Sequence, residues 1–258
     1  YINTVTDSPV TYVSSEDTGS FYKVTVNYQG NNIPVYVTKD GQFYTSSLIP
    51  ITGSAAQTQT QAQTTPQEIP KSDKPKVELF VMTYCPYGTQ AEKGLIPVIK
   101  SLGNKIDAKI IFVHYFMHGD KEEKETYTQV CIREEQSSKF IPYLECFLED
   151  SNSDRCLIKA GIDKSKLNSC ITNKAKDYYS QDSALSQQYG VQGSPTLVIN
   201  GVQADSARNP QAFLSTVCSA FNSQTAECSK ALSSSTPSPG FGSAADTAGH
   251  ASTDTTCS

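Results

Sequence analysis

From Lys76 to Thr83 the chain reads KVELFVMT, an apolar run of strand length. Two residues later Cys85-Pro86-Tyr87-Gly88 opens a stretch in which Ala91, Leu95, Val98, Ile99 and Leu102 recur at helical spacing. A buried strand feeding straight into an amphipathic helix calls for an α/β arrangement, because the apolar stripe of the helix must cover the sheet. Pro86 suits a first helical position, and Pro97 is expected to kink the helix it sits in. IDAKIIFVHYF reads as a second strand, and 122–190 as mostly helical with turns near 151–153 and 161–165. SPTLVING is a strand closed by an Asn200-Gly201 turn, and Phe213, Leu214, Val217 and Phe221 stripe a last helix. The order is strand, helix, strand, helical insert (about 118–190), strand, hairpin, helix, which defines one α/β domain over 76–231.

The flanks differ in kind. Residues 1–51 read as a small antiparallel β module with its strands in 9–51. Tyr22, Val24, Val26 and Tyr28 alternate with Lys23, Thr25 and Asn27, and Asp40-Gly41 marks a hairpin turn. So few strands bury little surface, so the module is expected to oligomerise by pairing with another copy of itself. Residues 52–75 are Gln/Thr-rich with scattered prolines and read as an extended linker. Residues 232–258 have the same low-complexity character and are expected to be a disordered tail.

With a net charge of −5 and no dense Lys/Arg block, the chain does not read as a nucleic-acid binder. No apolar run approaches the ~20 residues that span a bilayer. Tyr1 in place of Met fits removal of a leader or anchor. Eight cysteines are scattered with no C-x-x-C pair, and there are only three histidines, so no metal site or cofactor is expected. An even number of scattered cysteines suits structural disulfides in an extracytoplasmic setting, whether secreted, periplasmic or cell-surface.

Cys85 is the candidate for chemistry. A sulfur at the start of a helix faces unpaired N–H groups and the positive end of the helix dipole, which favour a thiolate. The helix end near Tyr87 and Gly88 is expected to lower its pKa by about one to two units from ~8.5.

The strand, the Cys-Pro-Tyr at a helix start, the proline-bearing helix and the later Val191-Gln192-Gly193-Ser194-Pro195-Thr196 resemble a thioredoxin fold. The long insert resembles the DsbA-like branch. More loosely, CIREEQSSKFIPYLECFLED and CLIKAGIDKSKLNSC are similar to the cysteine-bearing insert of the gamma-interferon-inducible lysosomal thiol reductases. SFYKVTVNYQGNNIPVYVTKDGQFYTSSLI is similar to the dimerisation module of DsbC- and DsbG-type disulfide isomerases. The resemblance implies that Pro195 is cis and lies against Cys85. It also implies that Pro86, Tyr87, Gly88, Ser194, Pro195 and Thr196 form the surface that meets a bound peptide. The departure is Gly88, which stands where dithiol relatives carry the resolving cysteine. Cys85 then acts alone with an external thiol, is resolved by a cysteine of the insert, or is structural in a redox-inactive domain.

The other cysteines read as structural. Cys146–Cys156 closes a short loop, Cys131–Cys170 ties the ends of the insert, and Cys218–Cys228 staples the last helix to the segment after it. Those pairings leave Cys85 and Cys257. His114 and His118 read as surface or satisfied histidines. Glu78 lies seven residues before Cys85, one more than the tuning acid of DsbA-like proteins, so its side chain falls on the other face of the strand. The leading expectation is an extracytoplasmic thiol-disulfide oxidoreductase or isomerase acting through Cys85 alone on protein thiols or disulfides, or with a low-molecular-weight thiol. The alternative is a redox-inactive thioredoxin-fold surface, assembly or scaffold protein. A glutathione-using or iron–sulfur monothiol protein fits the insert and its cysteines poorly.

Overall fold

The computed structural model describes residues 10–28, 31–41, 44–45 and 68–242. The expectations for 1–9, 46–67 and 243–258, including most of the linker, the end of the tail and Cys257, lie outside these residues. The chain divides into two compact units, residues 1–63 and 64–258.

The first unit is an antiparallel sheet in the order β1 (Val10–Asp17), β2 (Phe21–Tyr28), β3 (Asn31–Thr38) and β4 (Tyr44–Thr45). β2 and β3 pair without interruption from Phe21↔Thr38 to Tyr28↔Asn31, whereas β1 carries a register shift between Tyr12 and Ser14. Val26 and Val35 are buried, while Tyr12, Val13 and Tyr22 are exposed. One face of this sheet is therefore only thinly covered.

The second unit is a thioredoxin fold with a long helical insert. Its sheet runs β6 (Asp107–Phe112), β5 (Lys76–Val81), β7 (Thr196–Ile199), β8 (Val202–Gln203). β5 is parallel to β6 and antiparallel to β7, and Asn200-Gly201 closes the β7–β8 hairpin with both φ values positive. Side chains of β5 alternate between two cores. Val77, Leu79 and Val81 face the larger one, which holds Leu95, Val98, Tyr143, Phe147, Leu214 and Val217. Phe80 faces the smaller one with Met82, Cys85, Ile111 and Val198.

Helix α1 (Pro86–Leu102) runs through Pro97 as a single element. Gly94 lets it approach α7 (Pro210–Ser219) closely: a Cβ there would lie 2.6 Å from the Arg208 carbonyl oxygen. The insert comprises α2 (Asp120–Glu135), α3 (Phe140–Asp150), α4 (Ser153–Lys159), α5 (Lys164–Asn173) and α6 (Ala175–Gln188). Cys131–Cys170 joins α2 to α5, Cys146–Cys156 joins α3 to α4, and Cys218–Cys228 ties α7 to the turn at Ala226–Ser229. Such cross-links typically stabilise by ~2–4 kcal/mol each, largely by restricting the unfolded chain. The insert is also fixed to the sheet by charge. Arg133 of α2 grips Asp182 of α6 with two hydrogen bonds (2.7 and 2.9 Å) and donates a third to the Ile110 carbonyl (2.7 Å).

Two low-complexity stretches are more ordered than their composition suggests. Ser72, from the stretch read as linker, bridges to Phe221, and its N–H donates to the Ala220 carbonyl (2.9 Å). Residues 232–242, read as part of a disordered tail, pack on α1. Lys93 Nζ donates to the carbonyls of Ser238, Gly240 and Gly242 at 2.6, 2.9 and 3.0 Å. Phe241 sets its ring edge-on against Tyr84 (5.7 Å) and Phe147 (5.3 Å). Composition alone misses this, because the contacts are made by backbone carbonyls and one aromatic ring.

Candidate functional site

Cys85 caps α1. Its backbone is extended (φ −69°, ψ 123°), Pro86 takes the first helical position, and the Gly88 N–H donates to Cys85 Sγ at 3.4 Å. The Ser194-Pro195 peptide bond is cis, and the Ser194 carbonyl oxygen lies 3.3 Å from Cys85 Sγ. The Ser194 hydroxyl accepts the Met82 N–H at 2.9 Å, which pins the loop before β7 to the end of β5. The fold thus gathers Cys85, Pro86, Gly88, Ser194 and Pro195. Tyr87, 43% exposed, points outward with the Arg208 guanidinium over its ring (4.9 Å). Beside it a cleft of about 780 Å³ is lined by Pro195, Thr196, Val202, Gln203, Asp205 and Arg208.

Two observations overturn the reading of Cys85 as a lone nucleophile. No cysteine is free among the described residues, and Cys85 is itself disulfide-bonded, so it has no thiol to ionise. It is also fully buried, unlike a sulfur that must reach a substrate. The other six described cysteines are consumed by the three bridges.

Gly88 has a packing role. A Cβ at this position would lie 2.6 Å from Ser194 Oγ, 3.1 Å from the Met82 carbonyl oxygen and 3.3 Å from Cys85 Cβ. There is no room for a resolving thiol at position 88 unless the Ser194 loop moves, so Gly88→Cys would not simply restore a dithiol. We expect Gly88→Ala to cost about 1–3 kcal/mol in equilibrium unfolding through overpacking. The cost should shrink in a Ser194→Ala background. Equal losses in both backgrounds would show that Oγ is not the obstacle.

The two histidines are satisfied by neighbours. His114 Nδ1 lies 3.0 Å from Ser186 Oγ, and burial lowers its pKa. His118 Nδ1 lies 3.0 Å from Glu122 Oε1. Glu78 does not fall on the opposite face as the seven-residue gap suggested: it alternates in phase with Phe80, on the side of the smaller core that holds Cys85, where it pairs with Lys76 at 2.8 Å and accepts from the Tyr189 hydroxyl at 3.1 Å.

Sequence reasoning missed a buried carboxyl pair behind the site. Glu92 of α1 is fully buried, with one carboxyl oxygen lacking a hydrogen-bond partner. Desolvation, with help from the Glu125 charge, pushes its pKa up to about 8. Glu125 of α2 accepts from Gln129 and from the Tyr143 hydroxyl, both at 2.8 Å, yet burial still raises its pKa to about 7. Lys93, pulled the other way by desolvation, is spent on the carbonyls of the C-terminal segment. No sequence signal separates Glu92 from a solvated helix acid. Among the described residues, no group of side chains has the make-up of a metal site.

A family profile described as Thioredoxin matches residues 71–218, more than half of the chain. The chain belongs to the thioredoxin family. In fold this thioredoxin domain is similar to solved structures at low identity. One is MdbA, a thiol-disulfide oxidoreductase from Actinomyces oris (12% identity, TM-score 0.47, 58% of this chain and 83% of that chain). Others are DsbA from Mycobacterium tuberculosis in its reduced form (15%, 0.48, 63% and 92%) and BdbD from Bacillus subtilis in its oxidised form (17%, 0.45, 58% and 90%). No curated protein matches the sequence.

Proposed function

We propose that this protein is a redox-inactive member of the thioredoxin family that serves as an extracytoplasmic surface, assembly or scaffold protein. The observation that carries this reading is the state of Cys85: bonded, buried, and followed by a glycine position with no room for a second thiol. An extracytoplasmic setting is supported by the disulfide content. Among the described residues no helix is long and apolar enough to cross a membrane. The exposed Tyr87 and the cleft beside Pro195 and Thr196 supply a surface for an extended peptide, used here for binding without thiol exchange. The test is an insulin-reduction assay with dithiothreitol as electron donor, in which the protein is expected to add nothing to the dithiothreitol background. Turnover above background that disappears in Cys85→Ser would return the domain to the enzymes.

The β module supports oligomerisation in this reading, in keeping with its likeness to the dimerisation module of the isomerases. Strand β1 is an edge of its sheet, and Tyr12 is 66% exposed on it. An uncovered edge of this kind pairs readily with another copy. Light scattering of the full chain is expected to give a dimer or higher oligomer, and removal of residues 1–51 a monomer. A monomeric full chain at high concentration would sink the assignment.

A further inference from the structure

We infer that the groove between α1 and α3 is a peptide-binding site, with residues 237–242 as its tethered occupant, and that it takes an extended Gly-Phe-Gly segment of a partner protein once that occupant is displaced. The inference names a partner chemistry for the scaffold reading and rests on that reading for its purpose, not for its geometry. The groove is distinct from the cleft beside Pro195 and Thr196. Ala91 lines that cleft, and Thr89 and Lys93, two residues to either side, lie about 200° round the helix from it.

Residues 237–242 are held as a peptide ligand is held, through the backbone. Gln90 Nε2 donates to the Pro237 carbonyl (2.7 Å) and Thr89 Oγ1 to that of Gly240 (3.1 Å). Lys93 Nζ reaches the carbonyls of Ser238, Gly240 and Gly242. In return the Gly240 N–H donates to the Pro86 carbonyl and the Gly242 N–H to the Leu148 carbonyl, both at 2.9 Å. A charge-assisted clamp on carbonyls selects a backbone course that brings them to one point. Gly240 and Gly242 supply that course with φ values of 74° and 88°, where a side chain would be strained. Phe241, between them, is the large side chain the groove recognises, set edge-on against Tyr84 of the β5–α1 turn and Phe147 of α3.

The hold is of a kind that a competitor can replace. The root of the segment is fixed, because Gln211 of α7 bonds Leu232 and Ser233 at 2.8 and 3.0 Å and Cys218–Cys228 ties down the turn before them. From 234 to 240 the chain is Ser, Thr, Pro and Gly alone, so Phe241 is the main apolar contribution of the segment. An element with so little apolar contact opens locally without unfolding its domain. A short tether presents its own segment at about the millimolar range, so a free peptide of ~0.1 mM affinity is weakened about tenfold while the occupant is intact.

A fluorescent peptide copying residues 233–242, titrated into the full chain, tests the inference. It is expected to bind Phe241→Ala about tenfold more tightly than wild type, and to lose that binding when Lys93→Met is added. The same peptide carrying Gly240→Ala and Gly242→Ala should bind at least tenfold more weakly. No binding to Phe241→Ala, or equal affinity for Phe241→Ala and wild type, would overturn the proposal. Should Phe241→Ala fail to fold, hydrogen exchange of the wild type decides. The Gly240 and Gly242 amides are expected to exchange by local opening well ahead of Leu79 and Phe80 in β5, and exchange in step with β5 would make the segment an integral part of the core. Neither readout involves thiol exchange, so failure here leaves the insulin result standing, and insulin turnover would leave the groove standing.

Discussion

Asp182→Ala is expected to destabilise the thioredoxin domain by about 3–5 kcal/mol, the cost typical of stranding one partner of a buried ion pair. Asp182 and Arg133 are both buried, and the carboxylate takes two guanidinium hydrogen bonds together with the Phe112 N–H (3.1 Å). Removing it strands a charge beneath the insert and leaves a backbone donor of β6 without its acceptor. Glu134 also touches Arg133, at 2.8 Å, but is partly exposed and shared with Lys109. Its truncation should therefore cost no more than about 1 kcal/mol. Denaturant unfolding of the two variants side by side reads this contrast. Similar small losses for both would mean that Arg133 finds other partners once Asp182 is gone.

Glu92→Gln is expected to change how stability depends on pH. The carboxyl of Glu92 has a folded pKa of about 8 against an ordinary value of 4.5. The folded state therefore holds a proton that the unfolded state has released over that interval. With fewer protons bound in the unfolded state, stability falls as pH rises through the window and is lowest above pH 8. Glu125, raised to about 7, adds a second slope of the same sign. At one pKa unit per ~1.4 kcal/mol, removing the Glu92 ionisation should recover on the order of 2–4 kcal/mol at pH 8 to 9 and little at pH 5. Unfolding midpoints of wild type and Glu92→Gln across pH 5 to 9 give the measurement. Parallel pH curves would show that Glu92 does not carry the burial penalty assigned to it.

The sequence by itself determined the α/β order of the domain, and its resemblance to the thioredoxin fold, carried by Cys85-Pro86-Tyr87 and Val191 to Thr196, implied the architecture. Local signals agree with one another along the domain: the apolar run before Cys85, Pro86 at a helix start, the helical spacing of Leu95, Val98 and Leu102, and Asn200-Gly201 at a turn. Each acts within a few residues, so each is legible in one dimension. The three bridges found, Cys131–Cys170, Cys146–Cys156 and Cys218–Cys228, match the pairs expected, although spacing alone leaves many pairings open. What only the tertiary structure decided involves partners far apart in the chain. Gly88 reads as a lost cysteine in sequence, but its glycine character answers to Ser194, more than a hundred residues away. Lys93 and Glu92 are adjacent helix residues of ordinary type; one is drawn to the carbonyls of residues 238–242 and the other is sealed in the core. The reactivity of Cys85 was misread for the same reason. A helix start favours a thiolate locally, but whether a thiol exists there depends on another sulfur and on burial, and only the folded chain sets those.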